Sequence, residues 1–272
     1  MGGPIVPARA RPLRDTTASH TGESRAGPEG RPRGRSALIL TPGLSGSSVL
    51  GALLARAGYW TGEATFRKPD YDTHENQSLV DLNKRMLRDL GVGRDYEHRF
   101  RSEDLRLAEQ RMDRVDWGAC RTFLAHCEKH RPWVWKDPRL WITVRIWSRI
   151  LDLSAVRLVV VDRDPLQQWV AMTLRRQIQT YGHASAYNAG ILGSIDEFLS
   201  ERGLSFLRLR FEDLIRDPDA QIRRLNEHLG TRLEVADLQA VYRGMLYRNP
   251  RGIRDALKAL AIYAKNYASR RR

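Results

Sequence analysis

Cysteine is scarce: Cys120 and Cys127 are the only two among 272 residues. Seven positions apart on one helix, they would be separated by a rise of roughly 10 Å, too far for a disulfide. Two buried thiols in a reducing compartment are expected instead, and so few soft ligands argue against a metal. Long apolar runs are missing as well. No stretch reaches the ~18 apolar residues of a membrane span, and no apolar h-region stands near the N-terminus, which points to a cytoplasmic protein. Lysine is rare, six residues in all, so arginine carries the formal net charge of +14. That charge is uneven. Residues 1–35 hold seven arginines against three acids, and residues 242–272 hold nine basic groups against Asp255 alone, so little is left for the centre. Basic ends attract anions without specificity. No recognition motif accompanies them, so no specific nucleic acid is expected, while peripheral contact with an anionic surface through the tails remains open.

Large apolar side chains are nearly absent from residues 1–35, which are rich in Pro, Gly, Arg, Ser and Thr. Such a segment cannot bury enough surface to offset the entropy of ordering, and a disordered basic tail is expected there. The expected organisation is that tail, an α/β domain over 36–245, and a basic helix or tail over 246–272.

The chain is organised around Leu38-Ile39-Leu40-Thr41-Pro42-Gly43-Leu44-Ser45-Gly46-Ser47-Ser48-Val49-Leu50. The apolar run breaks at Thr41-Pro42-Gly43, and apolar positions 49, 50, 53, 54 and 57 resume at helical spacing. A buried strand therefore feeds a short loop and a helix that stops at Gly58. Gly43 and Gly46 let the backbone approach a ligand, and the amides at Ser47 and Ser48 open a helix without intrahelical partners. This combination favours an anion such as phosphate, although an ordinary βα turn accommodates the same small residues.

Residues 59–75 are polar with aromatics and no period, and read as a long functional loop ending in His74-Glu75. Leu79, Leu82, Met86, Leu87 and Leu90 form a helical stripe stopped by Gly91, and a helical pattern covers Ser102 to His130. Trp133-Val134-Trp135 reads as a short buried strand before Lys136-Asp137-Pro138-Arg139. A helix over Leu140–Leu151 leads to the clearest central strand, Val156–Val161. Asp164 and Pro165 then cap and open a helix over Leu166–Gln177. A helix from Tyr187 to Glu201, a strand over Ser205–Phe211 and a helix over Asp219–Leu229 follow. Strands separated by helices require parallel pairing with crossovers, hence a doubly wound α/β parallel sheet with helices on both faces. In such sheets ligands bind beyond the carboxyl ends of the strands. The loops at 41–47, 136–139 and 162–165 can converge there with Lys136, Arg139 and Arg163. Pairing of these cations with Asp137, Asp162 and Asp164 is the competing expectation.

At these residues the chain resembles the sulfotransferases that use 3′-phosphoadenosine 5′-phosphosulfate (PAPS), particularly the bacterial type. Gly43-Leu44-Ser45-Gly46-Ser47-Ser48 is similar to their P-loop-like 5′-phosphosulfate loop. Trp133 to Leu140 resembles their Lys-Asp-Pro-Arg segment, and Val159 to Leu166 their 3′-phosphate strand and turn. Phe211 to Pro218 resembles their Tyr-Glu-Asp-Leu segment. The likeness covers about 41–230. It implies PAPS as co-substrate without a metal, Lys136 on the leaving phosphate, and Arg163, Ala171 and Phe211 around the 3′-phosphate and adenine. Glu75 or His74 is the expected base. The sequence departs from the family at three of these positions. Leu44 stands where Arg or Lys is usual, Ala171 where Ser is usual, and Phe211 where Tyr is usual. Lys136 or Arg67 is the expected substitute for the missing cation at 44, and Thr173 or Arg175 for the missing hydroxyl. A Gly-rich clamp would fall near Arg248-Asn249-Pro250-Arg251-Gly252.

Two functions from different classes follow. One is sulfuryl transfer from PAPS to a hydroxyl or amine of a small-molecule, carbohydrate or lipid acceptor. The other is a non-catalytic member of the fold that binds a nucleotide or a partner. A P-loop kinase is disfavoured, because Gly46-Ser47-Ser48 lacks the Walker lysine. Trp60, Trp133, Trp135 and Trp141 are candidates for stacking on a sugar, with burial in the core as the commoner fate.

Overall fold

The computed structural model describes residues 34–68, 71–92, 100–174, 180–242 and 253–270. The chain divides into Met1–Arg31 and Pro32–Arg272, and only the second unit holds described residues. The expected tail over 1–35 thus lies outside them except for its last two positions, as do Arg175 and the clamp candidate at 248–252.

The first half of the fold runs β1 (Ala37–Leu40), α1 (Ser47–Arg56), β2 (Thr65–Lys68), β3 (Tyr71–Asn76), α2 (Gln77–Leu90), α3 (Ser102–Gln110) and α4 (Trp117–Glu128). Then come β4 (Val134–Lys136), α5 (Leu140–Trp147), β5 (Arg157–Asp162), α6 (Pro165–Leu174) and α7 (Tyr181–Glu201). The last part is β6 (Phe206–Arg210), α8 (Phe211–Arg216), α9 (Pro218–Leu229), α10 (Val235–Val241) and α11 (Ile253–Arg270). Four strands form one sheet in the order β4-β1-β5-β6, every pair parallel.

Alternation along the strands explains why both faces are covered. Leu38, Leu40, Trp135, Leu158 and Val160 face a cluster completed by α2, α4, α5 and α7. Ala37, Ile39, Val134, Val159 and Val161 face a second cluster with α1, α8, α9 and α10. Strands buried on both sides read as continuous apolar runs, as β1 and β5 do. The doubly wound fold expected from the sequence is the fold observed. Strand order reverses beside β1, so the crevice between the carboxyl ends of β1 and β5 is the switch point where such sheets bind ligands.

Several boundaries move for identifiable reasons. The expected long loop at 59–75 is in its second half an antiparallel hairpin, β2 with β3, in register Lys68↔Tyr71 and Arg67↔Asp72. The single helical pattern over 102–130 breaks into α3, a 3₁₀ turn at Met112–Arg114 and α4, because Asp116 caps a new start through its side chain to the Ala119 amide at 3.0 Å. The start of α7 is Tyr181, six residues before the expected one, with the Thr180 hydroxyl accepting from the His183 amide. Among the described residues, no helix is long and apolar enough to cross a membrane.

Cys120 and Cys127 both lie buried on α4 with no disulfide. Burial, with Asp116 adding to it, pushes the Cys120 thiol up to about 11, and burial pushes the Cys127 thiol to about 12 despite the bond it accepts from Trp135 Nε1 at 3.4 Å. Thiolate is the reacting form. Ellman's reagent at pH 8 is therefore expected to label neither cysteine in the native protein and both after denaturation. Rapid native labelling would show that α4 opens.

Candidate active site

The loop after β1 is held by its carbonyls. Tyr187 of α7 donates its hydroxyl to Pro42 O at 3.1 Å, Gln168 of α6 donates to Gly43 O at 2.7 Å, and Arg163 Nη1 donates to Leu44 O at 3.2 Å. Asn188 in turn donates to the Gln168 side-chain oxygen. Thr41 Oγ1 accepts from the Gly43 amide and pairs with the Ser45 hydroxyl. With the carbonyls tied outward, the backbone turns left-handed at Gly43, Leu44 and Gly46, with φ of 85°, 52° and 83°. Among the described residues, the amides of Leu44, Ser45, Gly46, Ser47 and Ser48 make no hydrogen bond, and the next, Val49, donates to Gly46 O. Successive unpartnered amides at a helix start form an anion cradle.

Lys136 ends β4 at the mouth of this cradle. The residue is 2 % exposed, and its ammonium donates to Ser48 Oγ at 3.0 Å, Thr73 O at 3.0 Å and Glu75 Oε1 at 2.6 Å. Glu75 is itself buried on β3, so the pair is a desolvated one. The adjacent His74 adopts φ 54°, held there by its amide donating to Asp72 Oδ1 at 2.7 Å. A histidine in that region is uncommon, and such strain concentrates at functional sites. Burial lowers the His74 pKa, and Lys136 and Arg67 lower it further against the opposing charge of Asp72. The imidazole is thus neutral at neutral pH and can accept a proton. Gly51 allows this approach of β3 to α1, since a Cβ there would stand 3.0 Å from the His74 Cβ.

Behind Lys136, Asp137 is fully buried and accepts from the Arg139 amide and guanidinium and from Asn83 Nδ2 at 2.8 Å. Asn83 Oδ1 accepts from Trp147 Nε1 at 2.9 Å. Burial raises the Asp137 pKa, with Arg139 opposing and Glu75 adding to the rise. These bonds fix the Lys-Asp-Pro-Arg turn.

Arg163 follows β5 and is 6 % exposed. Besides Leu44 O, its guanidinium faces Glu212 at 3.6 Å and lies 5.4 Å above the Phe211 ring. Phe211, at 1 % exposure, packs under the loop against Gly46 rather than at its surface. Ala171 is half-buried on α6, and the nearby Thr173 hydroxyl donates to Trp169 O of its own helix. Leu44 packs against the small apolar cluster of Trp169, Val170, Met172, Ala184 and Ala259. Arg67 projects from β2 toward Asp72 at 3.5 Å, so the cation whose hydrogen bond reaches the loop's serines is Lys136. Trp133 and Trp135 are fully buried, while Trp60 and Trp141 are only partly so.

The loop, Lys136, His74 and Glu75 are thus brought together, and Arg163 joins them through Leu44. Sequence reasoning missed Gln168, Tyr187 and Glu212. The signal for Gln168 was a glutamine directly before the apolar run Trp169-Val170-Ala171-Met172 of its helix, and Glu212 was visible as part of the Phe211-Glu212-Asp213-Leu214 segment.

A model described as the Sulfotransferase family matches residues 39–235. Among solved structures, the sulfotransferase domain of the Synechococcus PCC 7002 olefin synthase is similar at 16 % identity, covering 86 % of this chain and 98 % of that one with a TM-score of 0.46. The sulfotransferase STF9 of Mycobacterium avium is similar at 15 % identity, covering 86 % and 76 % with a TM-score of 0.45. No curated protein matches the sequence significantly.

Proposed function

The chain belongs to the sulfotransferase family, and on that premise we propose that it transfers a sulfuryl group from PAPS to a hydroxyl or amine of a small-molecule, carbohydrate or lipid acceptor. The observation that carries this reading is the run of unpartnered amides from Leu44 to Ser48, with the Lys136 ammonium 3.0 Å from Ser48 Oγ. A doubly charged anion fits such a cradle. PAPS, when bound, supplies the sulfuryl group and a phosphate leaving group. The loop amides hold the 5′-phosphosulfate end, and Lys136 holds positive charge where the leaving oxygen develops negative charge. His74, neutral and half-buried, takes the acceptor proton, while Glu75 orients Lys136.

Arg163 is the residue assigned to the 3′-phosphate, and its inward contact with Glu212 favours a second reading, a member of the fold whose donor site no longer grips that phosphate. Calorimetric titration with 3′-phosphoadenosine 5′-phosphate (PAP), adenosine 5′-phosphosulfate and ATP separates the two. PAP is expected to bind tightest, and Arg163→Ala to weaken it by about 1.5–3 kcal/mol while sparing adenosine 5′-phosphosulfate. Binding of none of the three, or preference for ATP, would sink the PAPS assignment. Equal losses for both 3′-phosphorylated and unphosphorylated ligands, with a lower melting temperature, would make Arg163 a structural partner of Glu212.

A further inference from the structure

At the other end of β4 from Lys136, α4 runs out in His126-Cys127-Glu128-Lys129-His130. His130 lies in the turn that follows the helix, its amide donating to Cys127 O at 2.9 Å, and the imidazole centroids of His126 and His130 lie 4.9 Å apart. Trp60 holds both rings, stacked on His130 at 4.6 Å and edge-on to His126 at 5.5 Å. Trp60 is itself fixed by its backbone, donating to Pro132 O at 2.8 Å and accepting from the Val134 amide at 3.0 Å. The segment that Trp60 begins delivers Glu63, whose Oε1 stands 3.2 Å from His126 Nε2. One ligand atom from each of Glu63, His126 and His130 lies within 4.8 Å of the others.

We propose that these three residues bind a divalent transition-metal ion of the zinc type, and that the ion fastens the segment entering the β2–β3 hairpin to α4. Two imidazoles and one carboxylate are the donor set that zinc accepts with a fourth position left for water, whereas magnesium and calcium prefer all-oxygen sites. Zinc bonds of about 2.0–2.2 Å place tetrahedral ligand atoms roughly 3.5 Å apart. The Glu63 side chain, 73 % exposed and already 3.2 Å from His126 Nε2, has the freedom to adjust its carboxylate around an ion. Ring contact with Trp60 already orders both imidazoles, stacked for His130 and edge-on for His126, so little of their rotamer freedom is left to lose on binding. The site is separate from the sulfuryl-transfer machinery: Val134 pairs with Ala37 at the start of β1, while the anion cradle follows its end. Its reach toward function is through the hairpin, because Glu63 lies two residues before the strand pair that carries His74 and Glu75.

The test uses the full chain without a polyhistidine tag, stripped with a chelator. Cobalt(II) titration read by visible absorption, followed by zinc displacement, is expected to give one site per chain. Glu63→Gln should weaken zinc by about tenfold or more, and the double variant His126→Gln/His130→Gln should reduce it to background. Zinc is also expected to raise the melting temperature of the parent and not of the double variant, since a ligand of the folded state alone stabilises it. Melting curves of the metal-free proteins show whether each variant still folds, and the exposed Glu63 keeps the test open if the double variant does not. Zinc affinity and stabilisation that persist unchanged in Glu63→Gln and in the folded double variant, or a parent that binds no zinc, would overturn the proposal and leave Glu63 and His126 as a surface ion pair.

Discussion

Lys136→Met is expected to lower turnover by about a hundred- to a thousandfold or more while changing PAP affinity by about tenfold or less. Methionine matches lysine in length and removes the charge, and charge aimed at a developing oxyanion acts in the transition state more than in the ground state. The substitution has a second effect that must be separated from the first. Lys136 and Glu75 are a desolvated pair joined at 2.6 Å, and removing one member leaves the other buried and uncompensated, at a cost of about 3–5 kcal/mol. Lys136→Met/Glu75→Gln should regain most of the lost stability, since a neutral amide replaces the stranded carboxylate. It should not regain turnover. Single-turnover kinetics and melting curves on the single and double variants make the comparison. Recovery of rate along with stability in the double variant would reduce Lys136 to a structural partner of Glu75.

That pairing marks where the sequence stops being readable. The strands β1 and β5 were legible because runs of apolar residues end in Thr41-Pro42-Gly43 and Asp162-Arg163-Asp164-Pro165, and two-sided burial leaves that signature. The loop was legible because Gly43 and Gly46 stand where left-handed backbone is needed, at φ 85° and 83°. The partners of the cations were not. Asp162 and Asp164 look like partners of Arg163 by proximity, yet Asp162 faces Arg208 and Arg210 across β6, and Asp164 caps α6 by accepting from the Gln167 amide. Arg163 instead meets Glu212, and Lys136 meets Glu75, contacts that exist only once α8 and the hairpin have docked. Of the expected pairings, Arg139 with Asp137 is the one that forms among the described residues, so closeness in sequence alone did not decide the partners. The hairpin was hidden for a related reason. Its strands are mostly half-exposed and carry no alternation, so pairing between them, rather than burial, defines them.

Gly46→Ala is expected to destabilise the fold by about 2–5 kcal/mol, and with it to abolish ligand binding at the loop. Two costs combine. An L-residue at φ 83° carries roughly 1–2 kcal/mol of backbone strain. The new Cβ would also stand 2.1 Å from Phe211 Cδ2, 2.5 Å from Cε2 and 2.6 Å from Cγ, and overpacking of that kind costs about 1–3 kcal/mol or more. The ring has little room to retreat, with Arg163 over its face and Tyr242 edge-on at a centroid distance of 6.0 Å. Gly203 provides the reference: its φ is 59° and a Cβ there meets nothing within 4 Å, so Gly203→Ala should show the backbone cost alone. Denaturant melts of the two variants give the comparison. A markedly larger loss at Gly46 assigns the excess to Phe211, and equal losses would mean that the ring yields. A ring that yields must move Arg163 with it, because the guanidinium joins Phe211 to Leu44 O; relief of the clash would then slacken the carbonyl side of the cradle and weaken anion binding in a protein that still folds.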